Sequence, residues 1–171
     1  MEIENLREEL QNYIAENFLI IEEDIEESRA DFAGRQTFLA AAPLFLNKID
    51  FLEMYEEEKG ETFSNMLMRL IEESGEKNSA IYNRANIDRR HFSKITNNEN
   101  YRTTRETALA FAIALRLNLE QTKELLSTAG YTLTNTNLGD VIVTFFINRQ
   151  IYDIFLINEY LHEYKQTLLG G

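Results

Sequence analysis

At 171 residues, 44% of them hydrophobic and none of them cysteine, the chain can bury a real core but can form no disulfide and no thiolate metal site. Seven glycines and a single proline (Pro43) are too sparse to punctuate many short strands, so the expected class is all-α. The formal charge of −12 repels DNA at long range.

The start, MEIENLREEL, is acidic and polar, which excludes a signal peptide there, and no apolar run approaches the ~18 residues of a membrane span. A soluble cytoplasmic protein is expected. The charge is uneven. Residues 1–60 hold 16 acids and 5 bases, a net of −11, whereas residues 61–171 come to −1. That shift suggests two parts, an acidic helical docking region over 1–60 and a helical domain over 61–171.

In chain order, Ile3, Leu6, Leu10, Tyr13 and Ile14 recur at helical spacing and predict an amphipathic helix from about Ile3 to Phe18, able to pair with a second copy of itself. Glu22, Glu23, Asp24, Glu26 and Glu27 form a charge run, read as a solvated face. Ala30 to Tyr55 is too apolar for a free linker and either packs on the second part or docks a partner.

Phe63, Met66, Leu67, Leu70 and Ile71 make the next helical stripe, which Gly75 stops. Asn78 or Ser79 can cap a short helix carrying Ile81 and Ala85. Asn86 suits a left-handed turn position, and Asp88 suits the cap of the following helix. There Phe92 and Ile95 face inward, while Arg89, Arg90, Ser93 and Lys94 face outward. The loop NNENYR (Asn97 to Arg102) follows, then a capping box from Thr103 and Glu106. The helix expected over Thr104 to Leu117 contains ALAFAIAL, apolar on every side, so it should be the central one. Asn118 is read as its end.

Another helix carries Leu119, Thr122, Leu125 and Leu126 up to a stop at Gly130. Two more are expected, over Asn137 to Asn148 and Asp153 to Leu168. The stretch VIVTFFI (Val141 to Ile147) has strand-like composition, but its length and its stripe favour helix.

The span Lys77 to Arg105 holds seven bases (Lys77, Arg84, Arg89, Arg90, Lys94, Arg102 and Arg105) against two acids (Asp88 and Glu99), an island of +5 in an acidic chain. Two short helices joined by a tight turn, the second opening on paired arginines, is the helix-turn-helix pattern. Lys77 to Leu126 resembles the helix-turn-helix of phage-repressor-type (lambda-repressor-like, or XRE-like) regulators, with the likeness covering about residues 63–126. Asn78 falls where that family opens its second helix with a polar residue. Ile81, Ala85, Ile87, Phe92 and Ile95 fall at the positions that lock the helices, and Leu109, Ala112 and Leu115 at its L-x-x-A-x-x-L core.

The resemblance implies a five-helix core with two added C-terminal helices, a bacterial or phage origin, and a regulator that binds double-stranded DNA. Arg89, Arg90, Ser93 and Lys94 would then meet base edges, while Lys77, Asn78 and Arg102 hold phosphates. A homodimer reading two half-sites follows from the same likeness. Asn86 to Leu115 is also similar to a helical module that follows the ADP-ribose-binding macro domain in some bacterial proteins. The alternative function is a non-enzymatic protein-interaction module, or an acidic inhibitor or mimic that meets a protein partner through residues 1–60.

Catalysis is not expected. His91 and His162 have no partner spacing, and no cofactor loop or metal-ligand pattern is present.

Overall fold

Eight α-helices and no strand make up the described residues, 2–19, 60–98 and 100–170, of a computed structural model. The helices are α1 (Glu2–Asn17), α2 (Phe63–Ser74), α3 (Asn78–Arg84), α4 (Arg89–Thr96), α5 (Arg105–Ala114), α6 (Leu119–Thr128), α7 (Leu138–Asn148) and α8 (Ile154–Glu163). Met1–Leu19 and Glu61–Gly171 belong to one compact unit. The acidic run at 22–27 and the apolar stretch at 30–55 lie outside the described residues.

α5 is the axis of the unit. Every side chain from Thr107 to Ala114 is buried. Ala108, Ala110, Ala112 and Ala114 alternate with Leu109, Phe111 and Ile113, so small residues admit close neighbours and large ones fill the gaps between them. α3, α6 and α8 pack directly on this helix. A ring series runs outward from it: Phe111 meets Phe92 of α4 at 6.0 Å and Phe63 of α2 at 6.5 Å, and Phe92 meets Tyr82 of α3 at 5.3 Å. The buried rings Phe63, Phe92 and Phe111 each contribute about 1.5–3 kcal/mol from area alone.

The strand-like VIVTFFI is helical. Asn137 caps α7 by accepting from the Asp140 amide at 3.0 Å, and the buried side chains Val141, Ile142, Phe145 and Phe146 follow a helical stripe. Burial of Asp140 to Val143 and Phe145 to Ile147, almost all round the helix, overrides β propensity here.

α1 packs on α7. Leu10 is fully buried, and Leu6, Tyr13 and Ile14 lie against the core. The Tyr13 ring sits 5.3 Å from Phe145, whose ring also carries the Arg149 guanidinium at 5.3 Å. Glu9 pairs with Arg149 at 2.5 Å and Arg7 with Glu163 at 3.0 Å. Leu6, Leu10, Tyr13 and Ile14 of the apolar stripe offered to a second copy are therefore used inside the unit.

Five helices end alike. After α3, α5, α6, α7 and α8 one residue turns left-handed: Asn86, Arg116, Gly130, Gln150 and Lys165, with φ of 53°, 54°, 81°, 56° and 56°. The next amide then reaches back to the last turn: Ile87 to the Tyr82 carbonyl, Leu117 to Ala112, Tyr131 to Leu126, Ile151 to Phe146 and Gln166 to Leu161, at 2.8–3.0 Å. This is the Schellman arrangement, which satisfies carbonyls the helix leaves open. α3–α4 and α5–α6 share one connection: a left-handed residue, a buried apolar residue (Ile87 or Leu117) and an Asp or Asn cap.

Four local expectations shift. α3 has Lys77 at its N-cap with no side-chain bond, so neither Asn78 nor Ser79 caps it. α5 is capped by Thr104, which accepts from the Thr107 amide at 3.2 Å; Thr103 is buried instead, one residue too early to cap. Asn118 opens α6 in a capping box with Gln121 rather than ending α5. α8 stops at Glu163 because Lys165 turns left-handed, and Leu168 is left 44% exposed. Among the described residues no helix is long and apolar enough to cross a membrane.

Candidate nucleic-acid interface

α4 begins where Asp88 accepts from the Arg90 amide at 2.7 Å, and its carboxylate also suits the positive end of the helix. Phe92 and Ile95 are buried against the core. On an eight-residue helix that fixes which side faces out: Arg89, Arg90, Ser93 and Lys94 are all exposed. Asn97 extends this face and donates its side-chain amide to Ser93 Oγ at 2.9 Å. The four residues placed on one face by the sequence do share one face.

The basic island divides into two classes. Arg84 forms an ion pair with Glu76 and donates to the Ala114 carbonyl at 2.6 Å, tying α3 to the end of α5. Its hydrogen bonds hold the Glu76 carboxyl below the usual carboxylate range. Arg105 pairs with Asp140, which is only 1% exposed. Burial pushes the Arg105 guanidinium below its ordinary value, and Glu106 and Tyr131 oppose that shift. These two arginines serve the fold. Lys77, Arg89, Arg90, Lys94 and Arg102 make no ion pair among the described residues and are exposed.

Lys77 and Asn78 open α3, and Arg102 stands in the loop before α5. All three are exposed, and no hydrogen bond or ion pair links them to the α4 quartet among the described residues. Sequence reasoning missed an open hollow of about 470 Å³ beside α4, lined by Ser93, Lys94, Asn97, Asn98 and Tyr101. Tyr101 is half-buried there and meets His91 edge-on at 6.0 Å. The only signal was the amide-rich loop itself, whose residue types did not show that it folds back beside α4.

Among the described residues no group of three or more His, Cys, Asp or Glu is placed to hold a metal ion. Comparison with family models, curated proteins and solved structures gave no match for this chain.

Proposed function

We propose that the protein is a sequence-specific DNA-binding regulator of transcription built on a repressor-like helix-turn-helix. In this reading α3 and α4 are the paired helices and α4 enters the major groove. One observation carries the reading: the fold neutralises Arg84 and Arg105, whereas Arg89, Arg90 and Lys94 lie on a single exposed helix face and pair with no described residue. An α-helix with its side chains is about 10–12 Å across, which suits a groove about 12 Å wide. Arg89 and Arg90 supply forked donors for guanine edges, and Ser93 and Lys94 follow one turn on. Lys77, Asn78 and Arg102 take backbone phosphates.

The charge of −12 opposes approach from afar, but at physiological salt the Debye length is ~8 Å, so the local face outweighs distant acids. A symmetric dimer on two half-sites belongs to the same proposal.

The test is binding to mixed-sequence duplex DNA over a salt series, beside Arg89→Ala/Arg90→Ala. Affinity that falls as salt rises and is lost in the folded double variant supports the reading. A folded wild-type protein that binds no duplex even at low salt overturns it and points to the protein-interaction alternative.

A further inference from the structure

The segment after α8 forms a strap that ends on the turn between α3 and α4. Lys165 turns the chain at φ 56°, and the Gln166 amide donates back to Leu161 at 2.8 Å. The far end is held twice by one side chain: the Leu169 amide donates to Asn158 Oδ1 at 2.8 Å, and Asn158 Nδ2 donates to the Leu169 carbonyl at 3.0 Å. The Leu169 side chain is 3% exposed. Gly170, at φ 84°, then lies on the backbone of the turn. A Cβ there would stand 2.7 Å from the Ala85 oxygen, 3.0 Å from the Asn86 oxygen and 3.2 Å from Asn86 Cβ.

Between its ends the strap is lightly seated. Gln166 and Thr167 roof a cavity of about 70 Å³ over Arg105, Asn137 and Asp140, and Leu168 faces solvent. The strap is thus fixed at Leu169 by Asn158, and it meets the α3–α4 turn at Gly170.

Ala85 and Asn86 are the first two residues of the connection between α3 and α4. Asn86 is the left-handed residue of a four-residue connection, and a small rotation there swings the whole of α4. A glycine whose backbone lies against both carbonyls leaves little room for that rotation. We infer that the Leu169–Gly170 end of the strap, held by Asn158, is a positioning element that fixes α4 relative to α3, with Asn158 and Gly170 as its positioning residues. The inference takes α4 as the reading helix from the preceding proposal, but its first test is independent of DNA.

That test is amide hydrogen exchange on the full chain and on Asn158→Ala and Gly170→Ala, which release the strap in two different ways. Exchange at Ile87 and Phe92 should quicken about tenfold or more, while exchange at Phe111 and Ile113 of α5 stays as in the wild type. Unchanged exchange at Ile87 and Phe92 in folded variants overturns the inference. So does equal acceleration in α5, which would make the strap a contributor to global stability only.

Duplex binding is the second readout. Both variants should bind about fivefold or more weakly with the salt slope unchanged, because the same phosphates are still met. Local loosening with undiminished affinity would overturn the link to α4 reading. A wild-type protein that binds no DNA would sink the functional reading alone, and exchange would still decide the strap.

Discussion

Arg105 at the start of α5 is paired with Asp140 in the first turn of α7, and the carboxylate is almost wholly buried. The other carboxylate oxygen, Oδ2, accepts from the Thr134 amide at 2.9 Å and stands 3.4 Å from the Thr134 hydroxyl. One acid therefore joins the central helix, the helix that carries α1, and the loop between α6 and α7.

Asp140→Ala should lower unfolding stability by about 3–5 kcal/mol, because it leaves the Arg105 guanidinium half-buried and unpaired. Urea denaturation measures this. A double variant with apolar residues of similar volume at 105 and 140 should recover part of the loss, since the pair's own desolvation cost then disappears with it while the Thr134 amide still lacks its acceptor. A loss below about 1 kcal/mol in the single variant would mean that water reaches Arg105 freely.

The left-handed helix ends predict a gain. Gln150 is exposed at φ 56°, a conformation that costs a residue with a Cβ about 1–2 kcal/mol. Gln150→Gly should therefore raise stability by about 0.5–1 kcal/mol, less than the full strain because glycine also loosens the unfolded chain. Gly130→Ala, at φ 81° with open space around it, should lose about 1 kcal/mol through backbone strain alone. Paired thermal melts of the two variants would reveal opposite shifts in Tm.

The Tyr152 hydroxyl donates to the Leu117 carbonyl at 3.0 Å, and burial raises its pKa above the ordinary 10. The folded state therefore holds this proton more tightly than the unfolded chain does. Its contribution is complete below pH ~10 and is lost as pH climbs through the raised folded value. Tyr152→Phe should cost about 1 kcal/mol at neutral pH. Above pH ~10 it should lose stability less steeply than the wild type, with a residual slope from Tyr160, whose pKa burial also raises. Urea midpoints between about pH 8 and 11.5 would show the two curves converging.

Because Leu10 is fully buried, removing residues 1–60 would strip the core as well as the acids. The role of the acidic run is better tested by charge. Replacing Glu22, Glu23, Asp24, Glu26 and Glu27 with their amides should tighten duplex binding several-fold at low salt and leave it unchanged at high salt. An unchanged low-salt affinity would separate those acids from DNA binding altogether.

The sequence carried the helices well where one face met one core. The stripe from Phe63 to Ile71, the all-apolar ALAFAIAL and the cap at Asp88 state their structure locally. It was silent where the decisive partner is far along the chain. Arg105 counted as a surface base until Asp140, 35 residues on, came beside it, and Arg84 until Ala114 and Glu76 did. It was silent again where a residue type hides its backbone state: Arg116, Gln150 and Lys165 do not announce left-handed turns as Asn86 and the glycines do. The α8 stripe continues to Leu168 in sequence, but the chain reverses at Lys165. At the candidate interface, the α4 face was legible from helical periodicity, whereas the hollow at Tyr101 depends on how a loop folds back.

The helix α4 keeps two sets of residues apart. Phe92 and Ile95 anchor it, while Arg89, Arg90 and Lys94 are exposed and make no ion pair with any described residue. Randomising those three positions would therefore leave the same folded framework underneath. The protein offers itself as a chassis on which the outward surface of one short helix can be rewritten without renegotiating the rest.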